Sequence, residues 1–279
     1  MEPDQEKQFK IDGSQASRIY LLPNMFTAGN LFFGFMAIRT CIEARFLTIS
    51  DTSFGDPNQL YTQAVLFILA AMFCDSLDGR VARMGGRESL FGAEFDSIVD
   101  MVSFGLAPAL MVLFLILNPE ESEIFRKIGF LLSFVYLLCA GVRLARFNVI
   151  THPAVYPANT DRSNKDFIGL PVPAAAGMIS TLVLLVTKQD MQRFAIVLPF
   201  LMLLISYLMI SSIRYPSFKT IDWSTKIRFR TFVLLLAIGG GVYLFRQYAF
   251  VIIFLAYLLY GLGRHLLMIR RLRKNQSNS

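Results

Sequence analysis

The sequence predicts an all-α protein, a polytopic membrane bundle of about eight transmembrane helices. Three observations carry that expectation. Of the 279 residues, 54% are hydrophobic and 17% charged, and the mean hydropathy is +0.51, whereas a soluble domain of this size needs more polar surface to cover its core. The apolar residues gather in runs of about 17 to 25, the length that crosses a bilayer as helix. Lys and Arg, finally, collect in alternate connections, as they do in membrane proteins with a fixed orientation.

Residues 1–23 begin MEPDQEKQFKIDGSQ, polar and mixed in charge. They lack the basic stretch followed by an apolar one that marks a cleaved signal, so the N-terminus is expected in the cytoplasm. The end of this segment, SQASRIYLLP, reads either as a short amphipathic helix on the inner surface or as a lead-in to the first span. Apolar spans follow at 24–43, 61–82, 94–117, 128–148, 169–187 and 194–213. The fifth opens GLPVPAAAG, which sets Pro171 and Pro173 in a first helical turn, followed by small residues suited to close helix packing. Two more spans are expected at 231–245 and 247–267, separated by Arg246 and Gln247.

With the N-terminus inside, 20 of the 27 Lys and Arg residues fall on the inner side. Both termini are then cytoplasmic, together with the acidic stretch at residues 75–100. Topology and attraction to anionic lipid headgroups account for the net charge of +7. The basic residues are spread over separated segments with no soluble domain to carry them, which excludes nucleic acid as a partner. Cys41, Cys74 and Cys139 all lie in expected spans, so packing rather than a disulfide framework is their role. His152 and His265 share no motif, and Trp223 reads as an interfacial anchor.

The chemistry concentrates in DSLDGRVARMGGRESLFGAEFDSIVD, residues 75–100. A second span ending near Arg83 and a third beginning near Gly92 form an antiparallel hairpin. The helical rise then sets Asp78 and Asp96 about 6 to 8 Å below the connection, and Asp75 and Asp100 about 12 Å below it. Asp75 and Asp78 are three residues apart and Asp96 and Asp100 four, so each pair shares a helix face. Two such faces turned together make an oxygen-lined pocket. Ionised carboxylates at this depth are costly without a counter-charge. Hard divalent cations, magnesium, manganese or calcium, suit oxygen ligands, and the absence of paired His and Cys argues against zinc. Two such ions would hold pyrophosphate oxygens and stabilise a moving phosphoryl group. Gly79, Ala82 and Gly92 let backbone approach both a facing helix and a ligand. A divalent-cation transporter is the alternative from another class, but a transport path distributes its acids through the membrane depth.

Written as a pattern, the stretch is Asp75-x2-Asp78-Gly79-x2-Ala82-Arg83-x8-Gly92-x3-Asp96-x3-Asp100. It resembles, at all eight positions, the signature of the CDP-alcohol phosphotransferase family, membrane enzymes of lipid headgroup synthesis. The resemblance implies a two-metal site at the cytoplasmic face, where a hydroxyl attacks the lipid-linked phosphorus and expels CMP. It implies Asp75, Asp78, Asp96 and Asp100 as metal ligands, with Asp100 also the general base. Gly79, Arg83 and Ser89 are then the CDP contacts of the CDP-diacylglycerol donor, with Ala82 and Gly92 beside them. Pro23, Asn24 and Thr27 supply the family's Pro-Asn-x-x-Thr element, so Asn24 and Thr27 join the donor site. Many members carry Arg three residues after that Thr; this chain has Asn30.

LPNMFTAGNLFFGFMAI, GAEFDSIVDMVSFGLAPA, RLARFN and GLPVPAAAG together resemble the membrane-bound phosphatidylserine synthase branch, over about residues 20 to 180. That likeness implies L-serine as the acceptor, a catalytic core at 24–213, further helices and a basic tail at 214–279, and a homodimer. Another acceptor alcohol, glycerol 3-phosphate or inositol phosphate, stays open. Serine is a zwitterion, so its carboxylate needs a fixed cation and its ammonium an acid or carbonyl. Arg143 and Arg146 can present one cationic face for the first, and Glu94 is the candidate for the second. Each also has an ordinary reading: the arginines as topology signals with snorkelling side chains, Glu94 as an acid favoured at a helix N-terminus.

Overall fold

The computed structural model describes residues 21–50, 55–84, 90–117, 123–151, 167–188 and 197–215, with isolated helical residues between 254 and 264. Its helices are α1 (Leu21–Ser50), α2 (Pro57–Met84), α3 (Leu90–Asp100), α4 (Ala107–Val112), α5 (Glu123–Thr151), α6 (Val172–Lys188) and α7 (Val197–Ile210). Between α3 and α4 the chain stays helical but widens to a π-helix at Met101–Leu106, and it widens again at Leu113–Leu117 after α4. Among the described residues, four helical rods are long and apolar enough to cross a membrane: Met25–Ile49, Pro57–Gly79, Phe91–Leu115 and Arg126–Ile150. Val172–Thr187 and Leu198–Ile210 are shorter apolar helices. The expected span at 231–245, and most of that at 247–267, lie outside the described residues, so the structure does not test the count of eight.

Each long helix presents one inward stripe. On α1, Thr27, Asn30, Gly34, Ala37, Cys41 and Ala44 recur in steps of three and four residues, and all are buried. On α2, buried Tyr61, Ala64, Ile68 and Ala71 mark a stripe that runs on through Asp75 and Asp78. Small residues on both stripes let the two helices lie side by side, so that packing rather than a hydrophobic gradient joins them in lipid. The opposite faces carry large apolar side chains: Phe35 is 61% exposed, Phe130 65% and Phe200 69%. Such faces suit a hydrocarbon solvent.

The π-helical segment begins directly after Asp100, and wide turns of this kind are frequent at functional sites. They leave helix carbonyls in need of donors, a need that lipid cannot meet. The Phe104 carbonyl is served at 3.0 Å by the hydroxyl of Tyr136, a fully buried residue of α5. Removing that hydroxyl in Tyr136→Phe leaves a buried acceptor unpaired. The variant is expected to lose about 1–3 kcal/mol of stability, read as a lower melting temperature in detergent with no change in helix content.

The expectation of an all-α chain holds but for one detail. Phe167–Ile168 (β1) pairs antiparallel with Arg214–Tyr215 (β2), Phe167 opposite Tyr215 and Ile168 opposite Arg214. The bridge forms where GLPVP meets the end of α7. Gly169 has φ +80°, and a side chain there would run into the Met209 carbonyl, so only glycine fits. Its N–H donates to the Ile213 carbonyl at 2.8 Å, and the Leu170 N–H to the Leu208 carbonyl at 3.0 Å. The GLPV segment thus supplies donors to the end of α7 before Pro171 and Pro173 start α6.

Candidate active site

Helix α2 ends at Met84 and α3 begins at Leu90, with residues 85–89 between them outside the described residues, and both helices pack on α1. Carboxylate oxygens of Asp75, Asp78 and Asp96 lie within 4.8 Å of one another. Asp78 is buried, and Asp75 and Asp96 are half-buried. Three hard oxygen donors at this spacing, with no His or Cys among them, fit a divalent magnesium- or calcium-type ion. The neighbouring thiol of Cys74 packs instead against α1, where a Cβ on Gly29 would stand 3.4 Å from its sulfur.

Asp100 is buried and stands within electrostatic reach of Asp75, Asp96 and Asp78. Helical rise alone pairs Asp75 with Asp100 in a deeper layer, whereas in the structure oxygens of Asp75 converge with those of Asp78 and Asp96. Helix α1 supplies donors to two of the four carboxylates. Asn30 Nδ2 donates to Asp100 Oδ1 at 3.1 Å, and one turn earlier Thr27 Oγ1 donates to Asp78 Oδ2 at 3.0 Å. Each donor fixes one oxygen of its carboxylate.

The remaining residues singled out in the sequence are distributed as follows. Gly79 is half-buried on α2, one residue from Asp78, and Gly92 is half-buried on α3, one turn before Asp96. Asn24 lies on α1 and Ala82 and Arg83 on the last turn of α2, but their side chains, and Ser89 altogether, fall outside the described residues. Glu94 is exposed and accepts a hydrogen bond at 3.1 Å from Asn148 Nδ2. Asn148 Oδ1 in turn accepts one at 2.9 Å from Ser97 Oγ. Glu94 therefore helps tie α3 to α5. Arg143 is buried, with its guanidinium 5.1 Å from the centre of the Phe147 ring, a cation–π contact. Arg146 donates to the Ile210 carbonyl at 3.2 Å, closing the last turn of α7. The two arginines that share a face by spacing thus have different surroundings.

Asn30, Ser97, Ser103 and Asn148 complete this region without having been picked out as site residues. The signal for Asn30 and Ser103 was the stripe itself: both occupy inward positions in line with Thr27 and Asp100. Ser97 and Asn148 are recognisable only once α3 and α5 are side by side.

The sequence model of the CDP-alcohol phosphatidyltransferase family matches residues 20–201. The chain is 33% identical over 264 residues, 94% of its length and 98% of the relative's, to a Helicobacter pylori CDP-diacylglycerol–serine O-phosphatidyltransferase. It is 34% identical over 206 residues, 73% of either chain, to an archaetidylserine synthase of Methanothermobacter thermautotrophicus. It is 41% identical over 150 residues, 54% of its own length and 49% of the relative's, to a CDP-diacylglycerol–serine O-phosphatidyltransferase of Saccharomyces cerevisiae. With the family signature spread over a hairpin that gathers three of its four aspartates, and with the match extending over most of the chain, the protein belongs to the CDP-alcohol phosphatidyltransferase family.

Proposed function

We propose that the protein transfers the phosphatidyl group of CDP-diacylglycerol to the hydroxyl of L-serine, giving phosphatidylserine and CMP. The observation that carries this reading is the arrangement of the aspartates: three carboxylates within 4.8 Å of one another, and a fourth held beside them by an amide. The first group is built to gather positive charge and phosphate, the fourth to accept a proton. Serine as the acceptor rests on the names of the relatives and on the RLARFN segment.

Asp75, Asp78 and Asp96, with Asp100 as the fourth carboxylate, are the residues that would hold two divalent cations. When bound, such ions supply positive charge to the phosphate oxygens as the phosphoryl group moves. Gly79 and Gly92 leave room for the pyrophosphate against the helices, with Arg83 and Ser89 as further contacts to the CDP part. Asp100 takes the proton of the serine hydroxyl. The oxygen forms its bond to the lipid-linked phosphorus as the bond from phosphorus to the CMP oxygen breaks, and the proton passes from Asp100 to solvent. The site faces the cytoplasm, both termini lie on that side, and the enzyme works as a homodimer in the cytoplasmic membrane.

The test is CMP release from CDP-diacylglycerol by the purified protein, with serine present and absent. Serine-dependent release with phosphatidylserine as the lipid product supports the reading. Release driven by glycerol 3-phosphate or inositol phosphate but not by serine would replace the acceptor while keeping the family.

For the serine carboxylate, the buried Arg143 is a better candidate than Arg146, whose guanidinium already serves the end of α7. A bidentate guanidinium recognises a carboxylate in a way that a Lys point charge does not reproduce. Arg143→Lys is therefore expected to raise the KM for serine about 10-fold, near the lower end of the about 1.5–3 kcal/mol of a charged hydrogen bond, with the KM for CDP-diacylglycerol unchanged. Arg146→Lys should leave both constants near wild type and lower the melting temperature. Wild-type serine kinetics in Arg143→Lys would place the acceptor pocket elsewhere.

A further inference from the structure

The inward stripe of α1 ends in two hydrogen-bond donors, one helical turn apart. Thr27 serves Asp78, a member of the three-carboxylate cluster. Asn30 serves Asp100. Asn30 is fully buried and held at two points. Its side-chain nitrogen donates to Asp100 at 3.1 Å, and its backbone carbonyl accepts from Ser103 Oγ, three residues after Asp100, at 3.1 Å. Ser103 lies on the π-helical segment, tight against Gly34, where any side chain on α1 would collide with it. The close approach of Gly34 and Ser103 therefore sets the distance between Asn30 and the segment that carries Asp100.

The orientation of the amide adds an independent observation. Among the described residues, Asn30 Oδ1 is buried without a hydrogen-bond partner. A buried carbonyl left without a donor costs about 1–3 kcal/mol. The reverse orientation would set two oxygens against each other, so the side chain tolerates an unpaired oxygen in order to donate to Asp100. A neutral amide also fixes a carboxylate without cancelling its charge, as a guanidinium or ammonium in the same place would.

We propose that Asn30 is a positioning residue for the general base: its amide fixes one oxygen of the Asp100 carboxylate and aims the second at the acceptor hydroxyl. This rests on the reading of Asp100 as the base. The donor site and the cluster do not depend on Asn30, so its removal separates acceptor chemistry from donor binding.

The experiment uses the purified full-length protein with saturating magnesium. Asn30→Ala is expected to lower kcat for serine transfer roughly 100-fold, the loss that a misplacement of about 1 Å can cause. The KM for CDP-diacylglycerol should stay within about threefold, since the donor contacts lie on other residues. Asn30→Leu keeps the branched shape and removes the donor without placing a second carboxylate beside Asp100. It should lose at least as much kcat at an unchanged melting temperature, which covers the case of an alanine variant that folds poorly. Combined with Asp100→Asn, Asn30→Ala should add no further loss, since the two act as one unit. The proposal is overturned if Asn30→Ala and Asn30→Leu keep wild-type kcat, if kcat and donor affinity fall together, or if the two losses multiply in the double variant. Serine transfer surviving in Asp100→Asn alone would instead remove the base assignment on which the proposal rests.

Discussion

Asp96→Asn is expected to bring serine-dependent CMP release below about 1% of wild type, since charge stabilisation by bound metal is worth several kcal/mol in phosphoryl transfer. Asp96 brings one of three carboxylates whose oxygens lie within 4.8 Å of one another. Asn has the same shape, can still ligate through its amide oxygen, and removes one unit of charge from the group that must hold divalent ions. Because Asp96 is half-buried at the end of the hairpin nearest its connection, the change leaves the apolar core untouched, and melting temperature and helix content should match the wild type. Manganese binding, followed by paramagnetic resonance, should weaken in parallel with activity. Activity above a few per cent in saturating magnesium or manganese would show that Asp96 is no part of the catalytic group.

Asp100→Asn should divide the kinetics differently. General-base catalysis contributes about 10²- to 10⁴-fold, so kcat for transfer is expected to fall by about three orders of magnitude. Donor affinity should change little, because the donor contacts lie on other residues. The fold survives the change, since Asn30 Nδ2 can donate to the amide oxygen of Asn as it does to Asp100 Oδ1. Pre-steady-state binding of CDP-diacylglycerol, measured apart from turnover, decides the matter. An equal collapse of donor affinity would make Asp100 chiefly a member of the donor-binding group.

Much of the site was legible along the chain because its residues are local. Asp75, Asp78, Asp96 and Asp100 sit on two helices joined by a short connection, so helical rise and face periodicity bring them together without knowledge of any other element. Gly169 was visible within GLPVP, although its duty at the end of α7 was not. Arg143 and Arg146 show the limit of the method. Their spacing makes them one cationic face, but α7 comes from another part of the chain and takes Arg146 for its Ile210 carbonyl, leaving Arg143 stacked on Phe147. Glu94 was read from its place near the start of a helix. Its partner Asn148 lies 54 residues on, a separation that no local pattern spans.

By itself the sequence determined that this is a membrane helix bundle, where its first six apolar helices run, that carboxylates of α2 and α3 converge, and which family the pattern resembles. These follow from composition, from 3.6-residue periodicity and from short-range spacing, all carried by consecutive residues. Only the tertiary structure decided which groups orient the carboxylates. Two of these groups come from α1, whose Thr27 and Asn30 are 51 and 70 residues from the carboxylates they hold. A hydrogen bond of 3 Å is set by how two helices pack, here by the close approach of Gly34 to Ser103, and packing distance is a property of both surfaces together that neither helix carries in its own sequence.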